Sequence, residues 1–162
     1  MTDFPALLGA LINGEVDHII VGGLAATIHG SARLTQDVDV VYARDPANLE
    51  RLAEALRELE PRLRGAPLDL PFEWPPRTLR MGLNFTLATT LGAIDLFGEI
   101  AGGESYEDLV PHTIDVELFG RAHRCLDLEA LIRTKRAAGR LRDFEVVAEL
   151  EAIREERDRG LS

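Results

Sequence analysis

The apolar positions in the first third of the chain alternate between a helical and a strand-like spacing. Leucine and isoleucine recur every three or four residues over 3–14, which predicts a first helix. A compact apolar run over 18–21 predicts a buried strand, and 23–29 predict a short helix. Interleaved valines predict a second strand over 37–41, and a leucine stripe predicts a third helix over 45–60.

The pattern is interrupted over 61–80, where five prolines stand in a stretch without visible period. We expect an irregular connection there that holds at most one short strand or turn. The elements predicted after it are a hairpin over 83–89 and 92–97, an acidic loop over 98–112 with a helical turn near 106–110, a second hairpin over 113–119 and 122–126, and helices over 127–138 and 143–157. This order predicts an α+β fold, with a mixed β-sheet flanked by helices and a helical C-terminus.

Chain length and composition indicate the size of the fold and the number of domains. The 162 residues, 46% hydrophobic and 6% aromatic, predict one globular domain over 1–162. Its core is expected over about 15–126 and its C-terminal helices over about 127–158. No apolar run approaches the ~20 residues that cross a bilayer, and the N-terminus lacks the basic start of a signal peptide, so we expect a cytoplasmic protein without a membrane partner. A single cysteine, Cys125, excludes an intrachain disulfide and a cysteine-built zinc site.

The formal net charge of −10 argues against a protein that coats nucleic acid non-specifically, because that mode of binding needs a basic surface. One local exception stands near the C-terminus. Five cations and no acid occur within ten residues: Arg133, Lys135, Arg136, Arg140 and Arg142. On a helix, Arg133, Arg136 and Arg140 would share one face at i, i+3 and i+7. Binding to a structured RNA through this segment therefore stays open.

The candidate chemistry begins with Asp37 and Asp39 on the second strand. Side chains two residues apart on a strand share a face, roughly 6.5 to 7 Å apart, so these carboxylates point the same way. Burying two like charges together costs several kcal/mol unless a cation lies between them, and Mg²⁺ prefers such oxygen ligands. The preceding pair Gly22 and Gly23, between strand and helix, lets the backbone approach a phosphate closely. The combination predicts a metal-dependent phosphate site.

This ordered set of residues resembles a known superfamily. The run GGLAATIHGSARLTQDVDV, with thirteen residues between the glycine pair and Asp37-Val38-Asp39 and a third carboxylate later, is similar to the DNA polymerase beta-type nucleotidyltransferases. It looks most like their small bacterial minimal branch, which has toxin-like and antibiotic-modifying members. The resemblance implies a nucleotidyltransferase-like sheet and metals held by Asp37 and Asp39. It also implies two Mg²⁺ ions and transfer of NMP from an NTP such as ATP to an acceptor hydroxyl.

We choose Asp95 as the third carboxylate, because it stands in the apolar strand GAIDLFG where an unpaired acid is costly. Asp69 and Glu99 remain alternatives. By resemblance, Asp95 would also accept the proton of the attacking hydroxyl. The similarly spaced Asp115 and Glu117 lack a preceding glycine turn and helix, and we expect them to face solvent.

Further ligands follow from the resemblance. The pattern R-x-T-x-D-x-D brings in Arg33, as a phosphate or acceptor contact or else a structural residue, and Thr35, which we favour as a turn residue. A C-terminal helix would bring Lys135 and Arg140 towards the triphosphate. For Asp143 we favour a structural role, pairing with Arg140 or capping the last helix.

Three acceptors stay open: an RNA such as tRNA at the basic segment, a small hydroxylated antibiotic at the 98–112 loop, or a protein side chain. The alternative function is a catalytically inactive nucleotidyltransferase fold that serves as a binding partner, for example in a toxin–antitoxin-type module. Small members usually need another helical part, which suggests a partner protein or a homodimer. A metal-dependent phosphatase or nuclease is a weaker third hypothesis, because the glycine pair favours holding an NTP.

Overall fold

The computed structural model describes residues 1–81 and 84–160. Its α-helices within these ranges are α1 (Phe4–Asn13), α2 (Gly22–Ile28), α3 (Pro46–Arg57), α4 (Tyr106–Leu109), α5 (Leu128–Ala138) and α6 (Leu141–Asp158). Its strands are β1 (His18–Ile20), β2 (Asp37–Tyr42), β3 (Arg62–Leu63), β4 (Phe85–Thr89), β5 (Gly92–Phe97), β6 (Glu99–Ile100), β7 (Glu104–Ser105), β8 (Thr113–Leu118) and β9 (Arg121–Leu126). The predicted order of elements is confirmed.

The strands form a seven-stranded sheet in the order β3-β4-β5-β2-β1-β9-β8. The pairs β2–β5 and β1–β9 are parallel, and the other neighbours are antiparallel. The mixed sheet, the flanking helices and the helical C-terminus confirm the predicted α+β class. The strands β6 and β7 form a separate two-stranded hairpin.

The centre of the sheet is apolar, as its sequence requires. Ile19 and Ile20 of β1 and Val38, Val40 and Val41 of β2 are fully buried. One cluster joins these strands to helical residues that include Leu7, Leu8, Leu11, Leu52, Leu56, Leu131, Ile132, Val147 and Leu150. The alternation of β2 therefore turns Val38 and Val40 to one face and places its two aspartates on the opposite face, where both are partly exposed.

Two local differences from the sequence prediction have simple causes. The predicted strand over 83–89 is observed from Phe85, and its first residue, Leu83, lies outside the described residues. The 98–112 loop contains the hairpin β6–β7 before α4, which the sequence did not predict because two-residue strands are too short to show an alternation. Within the described ranges, no helix combines the length and the apolar character that crossing a membrane requires.

Asn48 ties three elements together from a fully buried position at the start of α3. Its Oδ1 accepts from the backbone N–H of Asp17, just before β1, at 2.7 Å. Its Nδ2 donates to the carbonyl oxygens of Asp17, at 3.0 Å, and of Ala43, just after β2, at 2.7 Å. The amide thus provides partners for the Asp17 N–H and the Ala43 carbonyl oxygen and links α3 to the ends of both strands.

We predict that Asn48→Ala lowers the free energy of unfolding by about 3 kcal/mol, because three buried hydrogen bonds at about 1 kcal/mol each are lost. Urea denaturation measures this change. The matched control is Asn13→Ala, the same substitution at an exposed residue whose side chain accepts from Arg121 at 3.1 Å. We expect the control to cost under about 1 kcal/mol; equal costs for both variants would contradict the assigned role of Asn48.

Candidate active site

Three carboxylates meet where β2 and β5 run side by side. The parallel register sets Asp39 directly opposite Asp95, and Asp37 lies two residues before Asp39 on the same face of β2. Each residue offers one oxygen, and these oxygens all lie within 4.8 Å of one another. The alternatives Asp69 and Glu99 are not members of this cluster. The structure therefore brings together the three acids that the sequence singled out.

The carboxylates repel one another. Burial, followed by the nearby charge of Asp95, raises the pKa of Asp39 to about 7. A hydrogen bond that Asp39 Oδ2 accepts from the backbone N–H of Gly23, at 3.2 Å, opposes this shift only in part. The cluster is thus arranged to hold a positive charge, which would relieve the repulsion.

The glycine pair brings the start of α2 against Asp39. Gly22 has a φ of +64°, and a Cβ atom built there would lie 2.2 Å from Asp39 Oδ2. A Cβ on Gly23 would lie 3.0 Å from the Thr35 hydroxyl oxygen. No other residue type fits Gly22, because the left-handed conformation and the close carboxylate both exclude a side chain.

The loop between α2 and β2 is fixed at both ends. The Thr35 hydroxyl donates to the carbonyl oxygen of Asp37 at 3.3 Å, a local contact of the kind expected from a turn residue. The guanidinium of Arg33 lies 3.1 Å from Glu145 and 3.8 Å from Glu149, both on α6. Arg33 therefore fastens the loop to the C-terminal helix, and its side chain also lines the cavity described next.

A cavity of about 660 Å³ lies between the carboxylates and the two C-terminal helices. Asp37, Asp39, Asp95 and Gly22 line one side of it, and Lys135, Arg140 and Arg142 are also in its lining. Buried Asp143 organises two of the cations: its carboxylate lies 3.6 Å from Lys135 Nζ and 2.7 Å from Arg140 Nε. Asp143 also accepts from the Arg140 backbone N–H at the start of α6, so it has both structural roles weighed from the sequence.

The basic C-terminal segment is divided between two surfaces. The sequence predicted Arg133, Arg136 and Arg140 on one helical face, and this prediction is wrong for Arg140. Gly139, with a φ of +65°, ends α5, so Arg140 belongs to the next helix and turns to the cavity. Arg133 and Arg136 line a different, smaller pocket and are paired with Glu104 and Glu151.

Arg64 is the residue of the site that the sequence did not reveal. Its Nη2 donates to Asp95 Oδ1 and lies 3.8 Å from Asp37 Oδ2, while its Nη1 donates to the Leu87 carbonyl oxygen at 3.1 Å. It stands in the proline-interrupted stretch, where no period predicts which residues face the sheet. Only the pairing of β3 with β4 brings it to the carboxylates.

The remaining candidates behave as structural residues. Asp115 and Glu117 are exposed on β8, as expected for a solvent-facing strand. His29, at the end of α2, is buried, and its Nε2–H donates to the Leu126 carbonyl oxygen at 2.7 Å. Neither group contributes to the cavity.

A glycine turn that presses a helix onto one of three clustered carboxylates, within a mixed sheet of this order, defines the class of nucleotidyltransferases. The chain belongs to the nucleotidyltransferase family of unknown function DUF6036, whose model matches residues 8–96. The resemblance seen in the sequence is thereby confirmed. No curated protein matches the chain significantly in sequence.

Solved structures share the fold at low sequence identity. The lincosamide antibiotic adenylyltransferase LnuA, lincomycin-bound, is 13% identical with a TM-score of 0.62, and the match covers 94% of this chain and 98% of that one. A putative nucleotidyltransferase, TM1012 from Thermotoga maritima, is 17% identical with a TM-score of 0.57, and the match covers 92% and 94%. ANT(2'')-Ia in complex with adenylyl-2''-tobramycin is 17% identical with a TM-score of 0.53, and the match covers 96% and 95%.

We predict that Gly22→Ala lowers the free energy of unfolding by at least about 2 kcal/mol, because it adds a Cβ in a left-handed conformation and against Asp39. Thermal or urea unfolding measures the loss. Gly9→Ala is the matched control, since Gly9 lies inside α1 and a Cβ there meets nothing within 4 Å. The control should stabilise the protein by up to about 1 kcal/mol. A Gly22→Ala protein as stable as the wild type would contradict the close packing at this turn.

We predict that Asp39→Asn makes the metal-free protein more stable than the wild type at pH 8, with a much smaller difference near pH 4. The raised pKa of Asp39 means that the folded state holds its proton more tightly than the unfolded state, so wild-type stability falls as pH rises from about 4 through about 7. Asparagine does not ionise, so it removes this decline in stability. Its side-chain oxygen still accepts the hydrogen bond from the Gly23 N–H. Unfolding in EDTA at both pH values measures the effect.

The control for this charge change is Asp115→Asn on exposed β8, which should leave the pH dependence of stability unchanged. Equal pH dependence in the wild type and Asp39→Asn would show that the carboxylates do not repel one another as described.

Proposed function

We propose that this protein is a Mg²⁺-dependent nucleotidyltransferase that moves NMP from an NTP to a hydroxyl group of a small-molecule acceptor. The observation that carries the proposal is the convergence of Asp37, Asp39 and Asp95, with oxygens within 4.8 Å, on a cavity that is also lined by basic side chains. Membership of a nucleotidyltransferase family supports the reaction class.

The donor set fits magnesium. Three carboxylates supply hard oxygen ligands. The pKa of Asp39 is raised first by burial and then by the charge of Asp95, and a cation bound there would favour the ionised carboxylates. We assign Asp37, Asp39 and Asp95 as ligands of two Mg²⁺ ions. When bound, such ions neutralise charge that develops on phosphoryl oxygens during transfer.

The cationic residues of the cavity suit the triphosphate. We assign Lys135 and Arg140 to the phosphate tail, and Asp143 to holding both side chains in place. Gly22 and Gly23 let the backbone at the start of α2 approach the nucleotide without side-chain interference. We assign Arg33 to the rim of the cavity, where it keeps the 31–36 loop fastened to α6. Thr35 supports the turn before Asp37.

Asp95 is the residue that we assign to the proton of the attacking hydroxyl. It lies directly opposite Asp39, and its side chain lines the cavity in which an acceptor would bind. A carboxylate within hydrogen-bond reach of the hydroxyl would take the proton as the oxygen attacks the α-phosphorus and pyrophosphate leaves.

A small acceptor is favoured over RNA. The cavity, of about 660 Å³, has the size of a small-molecule site. The basic segment that suggested RNA is divided: Arg133 and Arg136 are paired with acids on another surface. Two neighbours in fold were solved with an antibiotic or its adenylylated form, and for this chain we propose a hydroxylated acceptor of comparable size.

The first experiment is calorimetry of each of the four NTPs, with and without Mg²⁺, on the wild type and on the Asp37→Ala/Asp39→Ala double variant. We expect Mg²⁺-dependent binding of one or more NTPs that the double variant loses. No binding of any NTP by the wild type would favour the alternative function, a nucleotidyltransferase fold that acts as a binding partner.

We predict that Asp95→Asn reduces transfer of labelled NMP by about 10² to 10⁴-fold, because it removes both a proton acceptor and a ligand charge. The assay uses the NTP found by calorimetry with panels of aminoglycosides and lincosamides, and with tRNA in parallel. Asp115→Asn is the matched control and should retain full activity. An active Asp95→Asn enzyme would overturn the assignment of Asp95, and labelling of tRNA alone would overturn the small-molecule acceptor.

A further inference from the structure

Arg64 reaches the carboxylates because it stands at the end of a row of residues that crosses three strands, β4, β5 and β2. Its backbone N–H donates to the Thr86 carbonyl oxygen at 2.9 Å, just beyond the short strand β3. Thr86 pairs with Asp95 across β4 and β5, and Asp95 pairs with Asp39 across β5 and β2. Neighbouring positions in such a row share one face of the sheet, so the arginine side chain extends directly towards the acids.

The guanidinium of Arg64 occupies the place in this cluster where a metal ion would otherwise bind. It donates to Asp95 and lies 3.8 Å from Asp37, so it contacts two of the three acids proposed as metal ligands. Three of the four cations that line the cavity within the described ranges are engaged elsewhere: Arg33 pairs with residues of α6, and Lys135 and Arg140 pair with Asp143. Arg64 therefore supplies the positive charge that stabilises Asp37 and Asp95 in the absence of a metal.

A divalent ion held by the same oxygens would lie next to this guanidinium, and like charges at such separations repel strongly in a partly buried site. The Asp95 oxygen that accepts the hydrogen bond from Arg64 also has fewer lone pairs available to coordinate a metal ion. Both arguments indicate that the Arg64 guanidinium and the metal ion cannot bind the same carboxylates at the same time.

We propose that Arg64 and the divalent metal compete for Asp37 and Asp95, so that the guanidinium holds the empty site together and withdraws when metal binds. This inference rests on the proposed function, because it takes these carboxylates as the metal ligands. Arg64 is thus a positioning residue: it holds Asp37 and Asp95 close to each other before metal binds, and it sets the metal concentration at which the site fills.

The surroundings of Arg64 allow the withdrawal. The strand β3 lies at the edge of the sheet and has only two residues. Arg64 comes directly after it and is followed by Gly65, at a φ of +82°. The Arg64 side chain is 31% exposed, so the guanidinium has solvent on one side into which it can turn. Besides the two carboxylates, its anchor is one carbonyl oxygen, that of Leu87. Its release leaves the core undisturbed.

The test is binding of Mn²⁺ alone, without nucleotide, followed by the electron paramagnetic resonance signal of the free ion. We expect Arg64→Gln to bind Mn²⁺ about tenfold more tightly than the wild type, because the competing charge is gone. In EDTA the same variant should unfold at a lower temperature than the wild type, and Mn²⁺ should raise its unfolding temperature by more. Arg62→Gln is the matched control, with the same charge change on exposed β3, and should bind as the wild type does.

Arg64→Lys provides a second variant should the glutamine protein fail to fold. Lysine keeps the charge but lacks the forked guanidinium, so its Mn²⁺ affinity should lie between those of the wild type and Arg64→Gln. Equal or weaker binding by the position-64 variants, with clear binding by the wild type, overturns the competition and leaves the nucleotidyltransferase function intact. Absence of Mn²⁺ binding in every protein overturns both.

Discussion

The repulsion among three carboxylates on one face of a buried sheet is the constraint on which the rest of this structure depends. Asp37, Asp39 and Asp95 are held close because β2 and β5 are fixed by the fully buried valines and leucines that alternate with them. The core therefore supplies the free energy that keeps like charges together. Every other feature of the site compensates for that charge or gives access to it.

Compensation comes from two directions. The Gly23 N–H donates to Asp39 from the start of α2, and the Arg64 guanidinium contacts Asp95 and Asp37 from the sheet edge. Neither neutralises Asp39 completely, and burial and the charge of Asp95 keep its pKa raised to about 7. A site left short of positive charge is less stable than it would be with neutral residues, which is the usual cost of a binding site prepared for a cation.

Much of this arrangement could be predicted from the local sequence. The alternation around Asp37 and Asp39, the glycine pair and the apolar setting of Asp95 each have a spacing that predicts the local geometry, and the fold class followed from the order of elements. Arg64 could not be found this way, because its position depends on pairing between β3 and β4 across a proline-rich stretch without period. Arg140 was misplaced because a single left-handed glycine, Gly139, ends one helix and begins a new direction.

That glycine also decides which surface the basic segment forms. A continuous helix would have presented Arg133, Arg136 and Arg140 as one stripe, suited to a phosphate backbone. The break sends Arg140 to the cavity and leaves Arg133 and Arg136 paired with Glu104 and Glu151 on another surface. Cations that are divided in this way, and mostly paired with acids, favour a compact triphosphate over an extended polyanion. The net charge of −10 acts in the same direction, because it repels a long nucleic acid.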